Sequence, residues 1–415
     1  MIPKTTKDIS RHKHFFHFLL MIKTLKDIPK LKGKRVLVRV DFNVPMKDGA
    51  VQDDTRMRQT LPTIQYLTDK GARVILVTHV GRPKGKIIEE LRVEPIAKHL
   101  EKLLNQSVAY RDECVGENVT KAVETMQNGK ILFLENCRFH PGEESCSEEF
   151  CRELSQLADI YVNDAFAASH RKHASTAGIA EHLPAYAGLL VEREIEFLTP
   201  LLDSDHKNLT LIIGGAKVDT KIGVLNTYIG KAGAILLGGA LANTFLAAEG
   251  YNIGASKYEK EKIETARELM MLAEAKQQKM YLPVDAIVGD TISNQATAID
   301  LPLEDIEGDM KILDIGKKTQ VIYAEIIAES KCVVWNGPMG LYEYTPFASG
   351  TRAIATALAS PNNQLKTYIG GGDTVDAINR CGIKEDEFTF VSTGGGATLE
   401  FLEGKKLPGI AALEK

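Results

Sequence analysis

From residue 34 onwards, short runs of aliphatic and β-branched residues alternate with stretches of helical periodicity. The first half contains RVLVRV (35–40) and ARVILVTHV (72–80), and the second contains LTLIIGG (209–215) and MYLPVDAIV (280–288). Such alternation is typical of repeated βα units, in which helices cover parallel sheets. The runs are too numerous for one sheet, so we predict an α/β fold of two doubly wound, Rossmann-like parallel-sheet lobes.

The segment between the two halves has helical periodicity. In LPAYAGLLVEREIEFLTPLLD (183–203), apolar Leu190, Ile195, Leu198 and Leu201 recur at helical spacings, with charged residues between them. A length of 415 residues also favours two or three domains at about 150 residues each. We therefore predict a connecting helix between two lobes.

Composition narrows the class of protein. Lys+Arg 51 against Asp+Glu 55 gives a net charge of −4, so the chain has no overall basic field to bind nucleic acid or an anionic membrane. No apolar run approaches the ~20 residues that a membrane-spanning helix needs. The six cysteines form no C-x-x-C pair, and we interpret them as reduced thiols of a cytoplasmic protein.

Residues 1–20 differ from the rest of the chain. They carry four Lys or Arg residues against one acid, followed by FFHFLL. A signal peptide would need a longer apolar core and a small-residue cleavage site. We predict a flexible extension or an upstream start codon, with a transit peptide as the alternative.

The residues that follow the predicted strands differ between the lobes. Parallel sheets bind ligands outside the carboxyl ends of their strands. In the first lobe these positions are basic or hydrogen-bonding: Asp41, Asn43, His79, Arg82, Arg138, Asp164, His170 and Arg171. In the second lobe they are glycines: Gly214, Gly215, Gly238, Gly239, Gly370, Gly371, Gly372, Gly394, Gly395 and Gly396.

Glycine-rich turns between a strand and a helix let backbone N–H groups approach a phosphate. Any one cluster could simply permit a tight turn. There is neither a G-x-x-x-x-G-K-[ST] loop nor a G-x-G-x-x-G fingerprint, which argues against a P-loop enzyme and a dinucleotide dehydrogenase. Asp373, inside GGGDT, is interpreted as a Mg²⁺ ligand beside phosphates, with a helix-capping carboxylate as the alternative.

Cations stand near two predicted helix N-termini, where the helix dipole disfavours them. GGAKVDTKIG (214–223) is predicted to open a helix with Lys217 and Lys221 on one face, and DDTRMR (53–58) places Arg56 in a first turn. An anionic ligand would make both arrangements favourable. Solvated surface lysines and arginines are the alternative.

The histidines and cysteines do not indicate metal or covalent chemistry. His79, His140, His170 and His173 lack metal-ligand or general-base spacing, so structural or substrate-donating roles are expected. No Ser/His/Asp or Cys/His pairing occurs at motif spacing.

Eight motifs together resemble those of the phosphoglycerate kinase family. They are VRVDFNVP (38–45), THVGRP (78–83), LENCRFHPGEE (134–144), VNDAFAASHRKHAS (162–175), GGAKVDTKIG (214–223), VVWNGPMGLYE (333–343), IGGGDT (369–374) and STGGGATLEFLEGKKLPGIAAL (392–413). The resemblance runs from about Met21 to the C-terminus and is highly specific.

The resemblance implies two lobes joined by a helix and hinge. The expected division is an N-terminal extension (1–20), a phosphoglycerate domain (21–188), an interdomain helix (189–204), a nucleotide-binding domain (205–402) and a C-terminal peptide that returns to the first domain (403–415). The implied reaction is reversible phosphoryl transfer between 1,3-bisphosphoglycerate and Mg-ADP, which gives 3-phosphoglycerate and Mg-ATP. The implied enzyme is a cytoplasmic monomer without nucleic-acid or membrane partners.

The resemblance also implies residue roles. The phosphoglycerate would be held by Asp41, Asn43, Arg56, His79, Arg82, Arg138 and Arg171. The nucleotide would be held by Gly214, Gly215, Lys217, Lys221, Gly238, Glu343, Gly371, Gly372, Asp373 and Thr374, with Glu343 on the ribose and Asp373 on Mg²⁺. Phosphoryl transfer needs positioning and charge neutralisation, which we assign to Arg56, Lys217 and Gly395 within Gly394–Gly396.

Some residues depart from the family pattern, and two rival functions remain. Ala167 and Ala240 replace common glycines, Lys317 replaces a proline and Asn243 replaces a tyrosine; Ala240 and Asn243 bear on adenine affinity. The rivals are another acyl-phosphate kinase and a catalytically silent nucleotide-binding protein. The four site arginines argue against the first, since a plain carboxylate needs fewer cations, and the retained lysines and Asp373 argue against the second.

Overall fold

The structure is a computed structural model that describes residues 22–202, 206–359 and 364–414. The chain forms two compact units. Unit 1 is Met1–Pro200 with Lys406–Lys415, and unit 2 is Leu201–Lys405. The predicted N-terminal extension, residues 1–20, lies outside the described residues.

Unit 1 is built on a six-stranded parallel sheet. Its strands and those of a small antiparallel hairpin are, in chain order, β1 (Arg35–Val40), β2 (Met46–Lys47), β3 (Ala50–Val51), β4 (Arg73–Val77), β5 (Val108–Tyr110), β6 (Ile131–Phe133), β7 (Ile160–Asp164) and β8 (Ala185–Ala187). The sheet order is β5-β6-β4-β1-β7-β8, and β2 pairs only with β3. The strand order therefore reverses between β1 and β7, where a doubly wound sheet forms its ligand crevice.

Helices and single turns connect these strands. The α-helices of unit 1 before residue 200 are α1 (Thr55–Asp69), α2 (Glu94–Leu104), α3 (Glu117–Thr125), α4 (Gly142–Ser145), α5 (Glu148–Gln156) and α6 (Leu189–Leu198). Along α6, Leu190, Ile195 and Leu198 are buried, as the helical spacing predicted. A 3₁₀ turn at Thr199–Leu202 follows α6.

Unit 2 has a second six-stranded parallel sheet. The strands of unit 2 are β9 (His206–Ile213), β10 (Ala232–Leu237), β11 (Met280–Tyr281), β12 (Asp285–Gly289), β13 (Ile299–Pro302), β14 (Lys311–Ile315), β15 (Cys332–Asn336), β16 (Lys366–Gly370) and β17 (Phe390–Val391). The large sheet has the order β11-β10-β9-β15-β16-β17. Its order reverses between β9 and β15, so the predicted fold of two doubly wound parallel-sheet lobes is confirmed.

One predicted strand was wrong. The run at 280–288 divides into β11, in the large sheet, and β12, which pairs antiparallel with β13 and β14 in a separate three-stranded sheet. Pro283 lies between them and has no N–H for a strand ladder, which favours a break at this point.

The remaining helices cover the sheet of unit 2 and end the chain. They are α7 (Ile222–Tyr228), α8 (Gly239–Glu249), α9 (Ile263–Ala275), α10 (Lys317–Glu329), α11 (Ser349–Leu358), α12 (Gly372–Arg380), α13 (Gly396–Leu402) and α14 (Pro408–Ala411), of which α14 belongs to unit 1. Trp335 of β15 is fully buried in a cluster with Ile212 and Ile369 from the neighbouring strands.

The C-terminal segment packs against unit 1. Gly409 N donates to Ser169 O over 2.8 Å, and Asn163 Nδ2 donates to Gly409 O over 3.0 Å. A Cβ on Gly409 would lie 2.9 Å from the Ser169 Cα, so this close approach needs glycine.

The six cysteines are free. Among the described residues, no helix is both long and apolar enough to cross a membrane.

Candidate functional site

In unit 1, the predicted residues meet at the carboxyl ends of β1 and β4. Asp41, directly after β1, is buried, and its Oδ2 accepts a hydrogen bond from Arg56 Nη1 at 2.6 Å. Arg56 lies in the first turn of α1, as predicted, and its side chain is about one-third exposed. His79 Nδ1 lies 3.8 Å from Asp41 Oδ1. These three residues form one cluster, in which the exposed part of Arg56 remains available to a ligand.

His79 is held by Arg39, which is not among the site residues predicted from the sequence. Arg39 is fully buried, and its Nη2 lies 2.8 Å from His79 Nδ1. A guanidinium only donates, so Nδ1 must accept and the imidazole proton must be on Nε2. Burial, followed by the charges of Arg39 and Arg138, holds the pKa of His79 well below its usual value. His79 is therefore a neutral imidazole that can donate from Nε2.

The charge of Arg39 is balanced through a hydroxyl. Arg39 Nε donates to Ser175 Oγ over 2.8 Å, and Ser175 Oγ donates to Glu143 Oε1 over 2.6 Å. Glu143 is fully buried and also accepts from Ser175 N at 2.9 Å. The chain Glu143–Ser175–Arg39–His79 thus fixes a site histidine from inside the unit. An arginine inside an otherwise aliphatic central strand was the available sequence signal.

Arg138 is a buried cation with spare hydrogen-bonding capacity. It is 2% exposed, its Nη1 donates to Gly81 O at 2.7 Å, and its Nε lies 3.3 Å from Glu144 Oε1. Its Nη2 is buried and has no hydrogen-bond partner among the described residues. Burial, then the charges of Arg171 and Arg39, lower its pKa. A buried donor of this kind fits an anionic ligand.

Arg171 and its neighbouring histidines form the next part of the cluster. Arg171 Nε donates to His170 Nε2 over 3.1 Å, so the proton of His170 is on Nδ1, which is buried. Burial and the charge of Arg171 lower the pKa of His170. Burial, followed by the charges of Arg138 and Arg171, lowers the pKa of His173 to about 4. At neutral pH the positive charge of this cluster therefore comes from its arginines.

Asn43 and Arg82 complete the predicted set in unit 1. Asn43 Oδ1 accepts from Gly81 N over 3.0 Å, which ties the loop after β1 to the loop after β4. Arg82, which follows Gly81 in the chain, is exposed. Gly81 has φ +63°, and a Cβ there would lie 2.9 Å from Leu91 Cδ1, so this loop requires glycine.

In unit 2, the glycine turns meet where the strand order reverses. Gly214 and Gly215 follow β9, and Gly337 follows β15. Gly215 N donates to Pro338 O over 2.8 Å. A Cβ on Gly214 would lie only 2.2 Å from Pro338 O. The glycines therefore allow two backbones to cross at the crevice of the sheet.

The lysines of unit 2 do not share a helix face, so that prediction was wrong. Helix α7 begins at Ile222, and a turn precedes it, closed by Lys221 N donating to Val218 O over 2.8 Å. Lys217 is exposed, whereas Lys221 is buried. Val218 N is held by the carboxylate of Glu259, and Val218 is itself buried, which fixes this turn in place of a helix.

Lys221 lies beside two groups at the carboxyl ends of β15 and β16. Its Nζ donates to Asn336 Oδ1, the side chain that ends β15. Burial lowers the pKa of Lys221 to about 8, while the charge of Asp373 opposes this shift. Asp373 is exposed in the first turn of α12. A cation and a carboxylate thus stand together where α12 begins.

Not every predicted nucleotide residue has a free side chain. Thr374 Oγ1 donates to Gly370 O and accepts from Gly337 N, both over 2.8 Å. Its hydroxyl is therefore engaged in joining β15 to β16. Gly395 has φ +52° and precedes α13, and a Cβ there would meet nothing within 4 Å. The open space beside Gly395 leaves its backbone accessible.

A cavity of about 470 Å³ lies in unit 2. Its lining includes Gly215, Gly239, Asn243, Glu343 and Asp373. The remaining lining is mainly Ala, Pro, Met, Leu and Ile side chains. An apolar cavity with a few carboxylates and glycine turns at its edge can hold a flat ring and a charged chain.

The donor set fits Mg²⁺ only in part. Among the described residues, no group of three or more His, Cys, Asp or Glu side chains could hold a metal ion. Asp373 supplies one carboxylate. Mg²⁺ commonly binds through one or two carboxylates together with phosphate oxygens and waters, so this arrangement suits a metal ion that arrives with a nucleotide.

Comparisons with known proteins agree on one family. The family model "Phosphoglycerate kinase" matches residues 25–405. The solved phosphoglycerate kinase of Coxiella burnetii is similar at 39% identity and a TM-score of 0.83, covering 94% of this chain and 98% of that chain. The phosphoglycerate kinase of Pyrococcus horikoshii OT3 is similar at 33% identity and a TM-score of 0.82, with the same shares covered.

Proposed function

Because the chain belongs to the phosphoglycerate kinase family, we propose that unit 1 binds the phosphoglycerate and unit 2 binds the nucleotide. The protein is a phosphotransferase with a carboxyl group as acceptor. It catalyses reversible phosphoryl transfer between 1,3-bisphosphoglycerate and ADP, giving 3-phosphoglycerate and ATP in glycolysis. The two rival functions are not favoured.

The phosphoglycerate site is proposed at the arginine cluster of unit 1. The unpartnered Nη2 of buried Arg138 carries this proposal, because a buried donor needs an acceptor. Arg171 and Arg56 add charge, and a guanidinium binds carboxylate and phosphate in a bidentate manner. The other proposed contacts are Asp41, Asn43, His79 and Arg82, with His79 donating from Nε2.

The nucleotide site is proposed at the cavity of unit 2. Glu343 and Asp373 line it, in keeping with the proposed contacts of Glu343 to ribose and of Asp373 to Mg²⁺. The Mg²⁺ arrives with the nucleotide, since ATP and ADP are the family's substrates. The backbone N–H groups of Gly371 and Gly372, with Lys217 and Lys221, are proposed to bind phosphates. Gly214, Gly215, Gly238 and Thr374 are proposed to border the nucleotide, since their own N–H groups already donate to backbone carbonyls.

Catalysis is proposed to depend on charge neutralisation. A transferring phosphoryl group spreads negative charge over its oxygens, so cations and N–H donors placed there lower the barrier. In unit 1, Arg56 neutralises the acyl phosphate. In unit 2, Lys217 and the backbone N–H of Gly395 neutralise the terminal phosphate of the nucleotide.

We further propose that the enzyme acts as a cytoplasmic monomer, since each proposed site is built within a single chain.

The test compares acceptors in a coupled assay of ATP-dependent phosphorylation. The full-length enzyme should use 3-phosphoglycerate and fail to use glycerate or acetate, which lack the phosphate that the arginines bind. Arg138→Gln should raise the KM for 3-phosphoglycerate at least tenfold. The control is Arg152→Gln, since Arg152 is an exposed arginine paired with Glu148, and its KM should stay within twofold. Equal use of glycerate, or an unchanged KM in Arg138→Gln, would contradict the proposed site.

A further inference from the structure

Two cysteines of unit 1 flank the start of helix α5. Ser147 is the N-cap of this helix, and its Oγ accepts from Phe150 N over 3.3 Å. Cys146 is the residue before the N-cap, and Cys151 is the fourth residue of the helix. Apolar side chains at these two positions often pack against each other as a hydrophobic staple. In this helix both members of the staple are thiols.

The two thiols lie side by side. A Cβ built on Gly178 would lie 2.4 Å from Cys151 Sγ and 2.7 Å from Cys146 Sγ, so both sulfur atoms pack over the same glycine. Burial, then the charge of Cys146 and a hydrogen bond between the two thiols, raise the pKa of Cys151. A hydrogen bond that raises the pKa of a thiol favours its protonated form. The S–H of Cys151 is therefore the donor, and the sulfur of Cys146 is the acceptor.

The two cysteines differ in their access to solvent. Cys146 is partly exposed, whereas Cys151 is 2% exposed. A soluble disulfide therefore meets Cys146 first, and the thiolate of Cys146 is the attacking group in thiol–disulfide exchange. Cys151 then stands beside the sulfur atom that Cys146 has bonded. Disulfides of cytosolic proteins are usually transient and often serve redox sensing.

We propose that Cys146 and Cys151 are a covalent modification site, which a small disulfide such as oxidised glutathione converts into an intramolecular disulfide that weakens phosphoglycerate binding. The Cys146 thiolate attacks one sulfur of oxidised glutathione, and one glutathione thiolate leaves. The Cys151 thiol gives its proton to solvent, and its thiolate attacks Cys146 Sγ and releases the second glutathione. The two electrons that the protein loses reduce one oxidised glutathione to two thiols, and excess reduced glutathione reverses both steps.

Glu143 connects this pair to the arginine cluster. Its carbonyl oxygen accepts from Cys146 N over 3.2 Å, and its side chain accepts from Ser175 Oγ over 2.6 Å. The sulfur atoms of a disulfide are ~2.05 Å apart, closer than non-bonded atoms, so oxidation draws the two cysteines together. Cys151 is held inside α5, whereas Cys146 is a single residue with φ +50° after α4, so Cys146 moves. Its movement displaces Glu143 and weakens the hold of Ser175 on Arg39 and on the site histidine.

Peptide masses test the modification itself. The full-length enzyme is equilibrated at pH 8 in glutathione buffers of increasing oxidation, alkylated with iodoacetamide and digested with trypsin. Trypsin cleaves after Arg138 and Arg152, so residues 139–152 form one peptide that contains both cysteines. The reduced enzyme should give this peptide with two alkyl groups, and the oxidised enzyme should give it unalkylated and lighter by two hydrogen atoms than the dithiol. Double alkylation at every ratio, or glutathione on Cys146 without the internal bond, would overturn the proposal.

The kinetics of the same samples test the coupling. As the internal disulfide accumulates, the KM for 3-phosphoglycerate should rise about fivefold, the effect of one lost hydrogen bond, and dithiothreitol should restore it. The KM for ATP should stay within twofold, whereas a general loss of folding would change both values. A disulfide that leaves the KM for 3-phosphoglycerate unchanged would overturn the coupling through Glu143.

The coupling rests on the proposed phosphoglycerate site, whereas the disulfide does not. A reduced enzyme that fails to use 3-phosphoglycerate would refute that site and the coupling with it. The peptide masses would still decide whether the two cysteines form a disulfide.

Variants assign the response to this pair. Cys146→Ser should keep the KM of the reduced wild type within twofold and should no longer respond to oxidised glutathione. Cys151→Ala should take up glutathione on Cys146 without an internal bond, so either variant decides the question if the other fails to fold. The matched control replaces Cys332 and Cys381, the partly exposed cysteines of unit 2, with serine and should respond as the wild type does. A response that persists in Cys146→Ser, or that the control loses, would overturn the assignment.

Discussion

Arg39 donates a hydrogen bond to His79 Nδ1 over 2.8 Å. Because the guanidinium has no acceptor, this single contact determines both the tautomer of His79 and the nitrogen that is left to donate. The same guanidinium is joined through Ser175 to Glu143. A buried carboxylate thus compensates the buried arginine, and the arginine in turn positions the histidine of the proposed phosphoglycerate site.

Replacement of Arg39 should change the protonation of His79. In the wild type, ¹⁵N NMR of labelled histidine should show His79 as the neutral Nε2–H tautomer at pH 6, because burial and the neighbouring arginines hold its pKa well below its usual value. In Arg39→Met this pKa should rise, and the KM for 3-phosphoglycerate should rise about tenfold.

Removal of Arg39 alone leaves Glu143 as an unpaired buried charge, which is destabilising. The double variant Arg39→Met/Glu143→Gln removes both charges and should recover part of the lost thermal stability without restoring the His79 tautomer. An unchanged tautomer and KM in the stable double variant would show that Arg39 does not position His79.

Lys217→Ala should lower kcat by two or more orders of magnitude while the Tm changes little. Lys217 is exposed, so its loss costs few contacts, whereas loss of a charge that stabilises a transition state typically costs about 10²–10³ in kcat. Steady-state kinetics and thermal unfolding of the same preparation measure both effects. Lys231→Ala, at a turn before β10, is the control and should retain kcat. A kcat within fivefold of wild type would remove Lys217 from the proposed role.

Much of the architecture could be predicted because parallel strands carry a local signal. Runs such as RVLVRV coincide with β1, and the periodicity of 190–198 coincides with the buried side of α6. The short strands β2, β3, β5, β8, β13 and β14 were missed, since two to five residues at the edges of sheets carry little pattern. The turn at 218–221 was missed because the carboxylate of Glu259, distant in sequence, holds it.

The site was predictable in its charged residues and not in its supports. Arg56, His79 and Arg138 follow strands and stand in recognisable motifs. Ser175 and Glu143 act only through their contacts with Arg39, and contacts between residues 32 or 136 positions apart leave no periodic trace in one sequence.

Gly214→Ala should destabilise unit 2 markedly more than Gly372→Ala. The added Cβ on Gly214 would lie 2.2 Å from Pro338 O, whereas on Gly372 it would meet nothing within 4 Å. Forced overpacking typically costs about 1–3 kcal/mol, or a fall in Tm of roughly 3–10 °C for a domain of this size. Calorimetry of the two variants provides the comparison. Equal Tm values would mean that the crossing at Gly214 relaxes without cost.

Asp164 ends β7 and holds the start of α6. Its Oδ1 accepts from Leu190 N at 2.9 Å, and the carboxyl group also has a hydrogen bond with the side chain of Thr63. Burial raises the pKa of this carboxyl group from 3.8 to about 7. Between these two values the folded protein keeps a proton that the unfolded chain has lost. The contribution of Asp164 to stability is therefore full below pH 4 and is lost as the pH rises towards 7.

Asp164→Asn keeps an oxygen for Leu190 N and removes the titration. Thermal unfolding at pH 4.5, 6 and 7.5 should show the Tm of this variant rising relative to wild type with each step in pH. Asp159→Asn is the control, because the hydrogen bonds and charge of Arg35 outweigh burial and lower the pKa of Asp159 below 3.8, so its difference from wild type should stay constant over this range. A constant difference for Asp164→Asn as well would show that Asp164 is ionised in the folded protein throughout, and that its hydrogen bonds compensate for the burial of the charge.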